Sequence, residues 1–261
     1  MIKAKKSLGQ NFLIDNELIE KIINITDIKN ANILEIGPGT GNLTSAILKK
    51  KPNKLIVVEK DDLLANELKV KFNKEIEIIN EDILKINENE ILNKKLTVFG
   101  NLPYNISTEI LCKWVLNLKD KYWFDCLLLM FQKEVADRIA GEFNSKHYSR
   151  LSIISKWRLN VQKICDIKPA SFYPKPKVDS SLIYFKPKYN YYKFKDSKNL
   201  EKLTRIFFMH KRKMIKKPYN QIFNGKTDVA KKLKINLNLR PQNLNFETFY
   251  NLTREYENLR G

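Results

Sequence analysis

The stretch Asn32-Ile-Leu-Glu-Ile-Gly37-Pro-Gly39-Thr-Gly41-Asn-Leu43 joins an apolar run to the start of an amphipathic pattern. The chain has only eight glycines in 261 residues, yet Gly37, Gly39 and Gly41 all fall in this short loop. Glycines let the backbone turn sharply and approach a ligand where a side chain would obstruct it. A helix that begins directly after such a loop also offers its free N–H groups to the ligand. The stretch therefore predicts a strand, a ligand-binding loop and a helix.

From residue 30 to about 135, apolar runs alternate with helical patterns, which is typical of a parallel sheet covered by helices. The expected strands are Asn32–Ile36, Leu55–Glu59, Ile76–Ile79, Leu96–Gly100 and Phe124–Phe131, and the expected helices cover about 41–50, 61–72 and 106–118. Two later β-rich stretches, about 157–167 and 180–186, would complete the sheet as an antiparallel edge. Ahead of the sheet, Asp15 is placed to cap an amphipathic helix that carries Leu18, Ile19, Ile22 and Ile23.

The chain changes character after a connector that runs from Pro187 to Phe194. Beyond it, helical spacing predicts helices over Leu200–Ile215, Asp228–Leu233 and Phe246–Tyr256, with no convincing strand pattern. We therefore expect two domains. Residues 1–188 would form the ligand-binding α/β domain, and residues 189–261 a small, basic, all-helical domain.

Composition excludes several classes of protein. The 43% of hydrophobic residues is enough to build a core, which excludes wholesale disorder. The longest apolar run, Cys126–Phe131, is far shorter than the roughly 20 residues of a membrane-spanning helix, and the N-terminus lacks the apolar stretch of a secretory signal. The three cysteines and two histidines show no metal-ligand spacing. The sequence thus predicts a cytoplasmic protein with no membrane association and no metal.

The net charge of +19 favours a polyanionic partner such as RNA or DNA. The alternative is a lysine excess imposed by an AT-rich genome, since 40 of the 48 basic residues are lysine. Residues 188–261 contain 18 basic and 6 acidic residues, whereas a codon bias would act evenly along the chain. The densest cluster is His210-Lys-Arg-Lys-Met-Ile-Lys-Lys217. It is either a phosphate-contacting face or an ordinary solvated helix face, and the uneven charge favours the first.

Acidic residues follow the next two strands of the predicted sheet. Glu59 ends its strand 22 residues after Gly37, where folds of this type hold the ribose diol of a nucleoside cofactor. Asp82 is placed to accept a hydrogen bond from an adenine amino group; its alternative role is a helix cap. The loop spacing is G-x-G-x-G rather than the G-x-G-x-x-G of dinucleotide sites. The loop therefore resembles the first motif of S-adenosylmethionine-dependent methyltransferases.

The fourth strand runs into Asn101-Leu102-Pro103-Tyr104. Ligands in open α/β sheets bind at the carboxyl ends of strands, so these residues are expected to face the cofactor. The Asn101 side-chain carbonyl and a backbone carbonyl beside Pro103 would accept the two N–H bonds of an exocyclic base amine and direct its lone pair at a methyl donor. Tyr104 offers a face for the base to stack on. A plain Asn-Pro turn is the alternative.

With two further motifs, these residues resemble the KsgA/Erm-type rRNA adenine N6-methyltransferases through nearly the whole chain. Ser7-Leu-Gly-Gln-Asn-Phe-Leu13 is similar to the N-terminal signature of that family, and Phe172-Tyr-Pro-Lys-Pro-Lys-Val-Asp-Ser180 to its late motif. The resemblance implies a Rossmann-like seven-stranded sheet and a base held between Tyr104 and Phe172. It implies catalytic roles for Asn101, Leu102, Pro103, Tyr104 and Phe172. It implies S-adenosylmethionine contacts at Gln10, Asn11, Leu13, Gly37, Gly39, Gly41, Glu59, Lys60, Asp82, Ile83 and Asn101.

The C-terminal region bears on the branch of the family. Phe207-Phe-Met-His-Lys-Arg-Lys-Met214 is similar to the F-x-x-(R/K)-R-K-T segment of the KsgA branch, although Met214 replaces the usual Thr. This likeness implies a monomer that dimethylates two adjacent adenines near the 3′ end of 16S rRNA in the small subunit. The alternatives are a 23S rRNA methyltransferase that confers macrolide resistance and a non-catalytic nucleic-acid-binding factor. The intact Asn101, Pro103 and Tyr104 favour an enzyme.

Overall fold

The computed structural model describes residues 4–5 and 8–260, so Ser7, the first residue of the predicted N-terminal signature, lies outside the described residues. The strands are β1 Phe12–Leu13, β2 Asn32–Ile36, β3 Lys54–Val58, β4 Glu77–Ile79, β5 Leu96–Asn101, β6 Phe124–Gln132, β7 Leu159–Ile167, β8 Phe172–Tyr173 and β9 Ser180–Pro187. The α-helices are α1 Asn16–Ile23, α2 Asn42–Lys49, α3 Asp62–Phe72, α4 Glu88–Ile91, α5 Ser107–Leu116, α6 Lys133–Ala140, α7 Arg150–Arg158, α8 Lys198–Phe208, α9 Lys216–Phe223, α10 Asp228–Lys232 and α11 Phe246–Asn258.

Seven strands form one sheet in the order β4-β3-β2-β5-β6-β9-β7. The neighbours from β4 to β6 pair in parallel, and β9 pairs antiparallel with β6. Parallel strands covered by helices are buried on both faces, which is why β2, β3 and β5 read as nearly continuous apolar runs. The structure confirms the predicted α/β class and the Rossmann-like seven-stranded sheet. It also confirms Asp15 as the cap of α1, because the Asp15 side chain accepts from the Leu18 N–H at 3.0 Å.

The strand order reverses beside β2, because β3 lies on one side of it and β5 on the other. The connections that leave the carboxyl ends of β2 and β5 therefore diverge and open a crevice, which is the usual ligand-binding position in such sheets. A separate two-stranded sheet pairs β1 with β8, with Phe12 opposite Tyr173 and Leu13 opposite Phe172.

The chain forms two compact units that interleave in sequence. The first contains residues 1–113, 119–136 and 161–187, and the second contains residues 114–118, 137–160 and 188–261. The second unit thus takes in two short stretches that precede the predicted boundary at residue 188. The assignment of cofactor binding to residues 1–188 and RNA binding to residues 189–261 stays a prediction.

The second unit is helical and has an aromatic core. Buried rings include Tyr148, Phe207, Tyr219, Phe223 and Phe249. The buried carboxylate of Glu257 in α11 accepts hydrogen bonds from the Lys195 and Asp196 N–H groups, each at 3.0 Å, which ties α11 to the start of α8. The helical C-terminal region is therefore confirmed. Within the described part of the chain, every helix is too short or too polar to cross a bilayer.

The prediction of a single helix over Leu200–Ile215 was wrong. Helix α8 ends at Phe208, residues 209–214 form an exposed turn, and α9, which the sequence pattern did not indicate, begins at Lys216. The buried Ile215 donates its N–H to the Leu239 carbonyl at 2.8 Å, an acceptor remote in sequence. The cluster His210–Lys217 therefore lies on a turn and the first residues of a helix rather than on one helix face.

Candidate active site

An open cleft of about 1100 Å³ lies at the carboxyl ends of β2, β3 and β5. Its walls are the loops that follow these strands, together with residues 8–13 of the N-terminal segment. This volume includes the open solvent at the mouth of the cleft. The cleft therefore brings the loops after three strands and the N-terminal segment around one space.

Most of the predicted site residues meet in this cleft. Those that line it are Gln10, Asn11, Leu13, Gly37, Gly39, Glu59, Lys60, Asp82, Ile83, Asn101, Leu102, Pro103 and Tyr104. Two predicted residues, Gly41 and Phe172, do not line it. Residues of motifs that are far apart in the sequence therefore meet at one place in the fold.

The glycine loop approaches its neighbours closely. Gly39 has φ +58°, and a Cβ there would lie 2.6 Å from the Phe12 ring, so only glycine fits without a shift of that ring. Gly41 has φ +76° and precedes α2, and a Cβ there would lie 2.6 Å from the Phe72 ring. Gly39 thus shapes the cleft itself, whereas Gly41 packs against α3 and permits the turn into α2. A cofactor contact at Gly41 stays a prediction.

The Glu59 carboxylate is buried at the end of β3. It accepts the Asp61 N–H at 2.9 Å and the Gly39 N–H at 3.3 Å, one bond on each oxygen. Burial raises its pKa, while these backbone hydrogen bonds oppose the rise. Because each carboxylate oxygen has two lone pairs, both oxygens can still accept from hydroxyl groups. Glu59 is therefore equipped to hold a ribose diol.

Asp82 caps the short 3-10 helix Ile83–Lys85 by accepting the Leu84 N–H at 3.0 Å, so its predicted alternative role as a cap is confirmed. Its other oxygen accepts from Lys60 Nζ at 2.7 Å. Burial acts to raise the pKa of Asp82, but the bonds from Lys60 and Leu84 outweigh it and lower the pKa below its usual value. Asp82 is thus an ionised acceptor at the cleft wall, and its adenine contact stays a prediction.

Asn101 ends β5, and its side-chain orientation is fixed by the N-terminal segment. Its Nδ2 donates to the backbone carbonyl of Asn11 at 2.6 Å. An amide that spends its NH₂ group in this way keeps its Oδ1 as a free acceptor. The orientation matches the acceptor role that the sequence analysis gave to the Asn101 carbonyl.

Tyr104 is held through its hydroxyl, which shares a short hydrogen bond with the Ser180 hydroxyl. Ser180 is fully buried at the start of β9, 76 residues later in the chain. Burial raises the pKa of Tyr104, so its phenol stays neutral. The bond fixes the tilt of a ring that remains partly open to the cleft. The sequence analysis quoted Ser180 as the last residue of the late motif and gave it no role in the site.

Phe172 is fully buried in β8, next to Leu13 on the paired strand β1, and belongs to the hydrophobic core. Phe172 does not line the cleft, whereas its pairing partner Leu13 does. Its role as the second face of a base sandwich stays a prediction.

The N-terminal segment is anchored by Asp61, which the sequence analysis did not single out. Asp61 accepts from Lys5 Nζ at 2.8 Å, from Gln10 Nε2 at 2.9 Å and from the Leu63 N–H at 3.1 Å. Gln10, predicted as a cofactor contact, thus spends its amide on this tie. The only local signal was the position of Asp61, two residues after Glu59.

Glu35 is a second residue that was missed as a separate group. It is buried within β2, lines the cleft, and accepts from the Thr44 hydroxyl at 2.7 Å. Burial raises the pKa of Glu35 to about 7; the Thr44 bond lowers it and the nearby Glu59 charge raises it. The site therefore has a carboxyl group that titrates near neutral pH.

Comparison with known proteins places this geometry in context. A family model described as ribosomal RNA adenine dimethylase matches residues 1–258. A protein of Pelagibacter ubique (strain HTCC1062), named ribosomal RNA small subunit methyltransferase A, is 66% identical over 260 residues, which cover 100% of this chain and 99% of the relative. A Wolbachia protein (from the Drosophila simulans strain wRi) with the same name is 40% identical, over 98% of this chain and 95% of its own length.

Solved structures are similar over the same length. A dimethyladenosine transferase from Plasmodium falciparum is 28% identical with a TM-score of 0.78, covering 95% of this chain and 98% of that chain. The 23S rRNA methyltransferase ErmE shares the fold, with a TM-score of 0.69, 21% identity, and coverage of 95% of this chain and 100% of that one.

Proposed function

The chain belongs to the ribosomal RNA adenine dimethylase family, and on that premise we propose that it methylates the exocyclic N6 amines of two adjacent adenines near the 3′ end of 16S rRNA. The methyl groups come from S-adenosylmethionine, and each adenine receives two. The relatives named small subunit methyltransferase A favour the small subunit over the 23S rRNA alternative. The observation that carries the chemistry is Asn101, whose amide is oriented by Asn11 with its oxygen free.

The cleft residues fit S-adenosylmethionine as the cofactor. Gly37 has φ +65° and a Cβ there would approach the Asn101 carbonyl to 3.3 Å, so the loop leaves space that a side chain would fill. Glu59 would hold the ribose hydroxyls, and Asp82 and Ile83 the adenine ring. Bound in this way, the cofactor supplies a methyl group activated by its sulfonium.

The target adenine would stack on Tyr104, whose ring is steadied by Ser180. The Asn101 Oδ1 and the Leu102 carbonyl, which precedes Pro103, would accept the two N–H bonds of the amine. These contacts favour a pyramidal nitrogen with its lone pair directed at the methyl group. Transfer of the methyl group would form a C–N bond as the methyl–sulfur bond breaks, and it would leave the amine cationic and acidic, so that its proton would pass to water without a strong general base.

The RNA is held mainly through charge. Residues 209–214, 216 and 217 are exposed, and Ile215 between them is buried, so the basic side chains of His210–Lys217 face solvent. Several phosphate contacts make affinity fall steeply between roughly 50 and 200 mM salt. Because the proposed substrate is ribosomal, we expect the protein to act in the cytoplasm, and we expect it to act as a monomer.

The test is methyl incorporation from labelled S-adenosylmethionine, with unmethylated small subunits and naked 23S rRNA assayed side by side. We expect label in the small subunit alone, up to four methyl groups per subunit. Label in the 23S rRNA would place the chain in the resistance branch. Binding of the cofactor without label in either RNA would replace the enzyme with a binding factor.

A further inference from the structure

The loop between β8 and β9 exposes side chains that the proposed function does not use. Tyr173 is 53% exposed and Val178 is 45% exposed, although both are large and partly apolar. Lys175 and Lys177 lie between them and are also exposed. The Tyr173 ring has no aromatic or cationic partner among the described residues. An exposed aromatic ring flanked by lysines is therefore available to a ligand.

Both ends of this loop are attached to elements of the cleft. At its start, Tyr173 pairs across the strands with Phe12, whose neighbour Asn11 orients Asn101. At its end, Ser180 bonds the hydroxyl of Tyr104. Because the loop spans from one of these anchors to the other, it lies beside the place where a base reaches Tyr104.

The lysines of this loop differ from those around it. Lys168 pairs with Asp179 at 2.8 Å, Lys163 pairs with Asp166 at 2.7 Å, and Lys133 also pairs with Asp166. Lys175 and Lys177 form no ion pair with any residue that the structure describes. Their charges are thus uncompensated within this region, while the neighbouring lysines already have carboxylate partners.

We propose that residues 173–178 bind the nucleotide next to the target adenine, with its base stacked on Tyr173 and the flanking phosphates against Lys175 and Lys177. The proposal rests on the proposed function, because it takes the substrate to be RNA with an unpaired target. Single-stranded nucleic acids are bound by this combination of aromatic rings and positive charge. When one of two adjacent adenines occupies the Tyr104 pocket, its neighbour must be unstacked from it, and Tyr173 offers a replacement surface.

The first test compares Tyr173→Ala with Tyr173→Trp, using unmethylated small subunits and labelled S-adenosylmethionine. Loss of one stacked base corresponds to about a tenfold lower kcat/KM for the Ala variant, while Trp retains the wild-type value within about twofold. The Kd for S-adenosylmethionine stays unchanged in both, since Tyr173 does not line the cofactor cleft. A Tyr173→Ala enzyme with wild-type kcat/KM overturns the stacking role.

The second test measures the salt dependence of subunit binding for the double variant Lys175→Ala/Lys177→Ala. Two lost phosphate contacts on a single strand lower the slope of log K against log salt by about 1.4. The matched control is Lys74→Ala/Lys94→Ala. These exposed lysines precede β4 and β5 and so lie at the amino ends of the strands, whereas the cleft lies at the carboxyl ends. An unchanged slope in the loop variant, or an equal change in the control, contradicts the proposal.

Direct binding separates this proposal from the proposed function. A fluorescent single-stranded RNA containing two adjacent adenines is titrated with wild type and Tyr173→Ala without any methyl transfer. Weaker binding by Tyr173→Ala supports the loop site even if no RNA is methylated. Equal binding by both proteins, or none by wild type, overturns it even if methylation of small subunits is confirmed.

Discussion

The amide of Asn101 has two possible orientations, and only one of them suits an amine substrate. Its Nδ2 donates to the Asn11 carbonyl at 2.6 Å, which leaves Oδ1 as the atom that can accept from a substrate amine. A flipped amide would place Oδ1 against that carbonyl, and two acceptors repel each other. The backbone of the N-terminal segment thus selects, in a residue 90 positions later, the orientation that the proposed function requires.

We expect Asn101→Ala to lower methyl transfer by roughly 10² or more, because the amine loses an acceptor that directs its lone pair. Cofactor affinity should stay largely intact. Asn101→Asp is the informative companion, since its carboxylate keeps an acceptor but loses the donor to Asn11. Both variants are compared by single-turnover methylation and by calorimetry with S-adenosylmethionine. Lost cofactor binding in Asn101→Ala would assign this residue to the cofactor site instead.

Glu35 predicts a pH dependence of stability. Burial raises its pKa from 4.5 to about 7 in the folded protein. Between these values the folded state keeps a proton that the unfolded state releases, so the free energy of unfolding falls as pH rises from about 4.5 to 7. Above that range the folded protein holds a buried carboxylate, and the loss persists.

Glu35→Gln removes this titration and can still accept from Thr44. From pH 5 to pH 8, wild type should lose roughly 2–4 kcal/mol of unfolding free energy relative to the variant. Urea denaturation at several pH values measures the difference in unfolding free energy between wild type and Glu35→Gln. The contributions of the other titrating groups cancel in this difference, because both proteins contain them. Thr44→Val serves as a control, because loss of the hydroxyl raises the pKa of Glu35 further and extends the fall in unfolding free energy to higher pH. Parallel curves for wild type and Glu35→Gln would mean that Glu35 is ionised throughout.

At the scale of elements, the strands and the glycine loop were predictable because their signals are local. The predicted strand Asn32–Ile36 has the bounds of β2, and the other central strands agree within one or two residues. The end of α8 was not predictable, since the acceptor that holds Ile215, the Leu239 carbonyl, comes from a distant segment. The same reason hid the roles of Ser180 and Asp61 in the site, because each acts on a residue at least 50 positions away.

Asp61 is the anchor of the N-terminal segment, and its replacement tests that element. Burial acts to raise the pKa of Asp61, but the bonds from Lys5 and Gln10 outweigh it and lower the pKa. Asp61→Asn keeps a good cap for α3 but loses the charge that holds Lys5. We expect about tenfold weaker binding of S-adenosylmethionine with a nearly unchanged kcat, because residues 8–13 form one wall of the cleft.

The Asp61 prediction is checked by calorimetry and by limited proteolysis of the N-terminal segment. Lys5→Gln removes the same ion pair from its other end and should give a smaller change in the same direction, since Gln10 still reaches Asp61. Wild-type affinity in Asp61→Asn would show that the segment is held by β1 and β8 alone.

In the whole molecule, the two tasks that the proposed function requires, cofactor binding and RNA binding, fall on regions of different charge. The carboxylates that line the cleft, Glu35, Glu59, Glu81 and Asp82, lie in the first unit, whereas residues 188–261 carry a large excess of basic residues. The exposed turn at residues 209–214 concentrates that excess on side chains facing solvent.

Replacing Lys211, Arg212 and Lys213 with Ala should weaken small-subunit binding and lower the salt slope by about 2–3, because each duplex phosphate contact contributes about 0.9. The matched control is Lys29→Ala/Lys74→Ala/Lys94→Ala, three exposed lysines that precede strands β2, β4 and β5. Since both triple variants lose the same net charge, a drop confined to the turn variant reports local phosphate contacts, whereas equal drops would report only the long-range field of a basic protein.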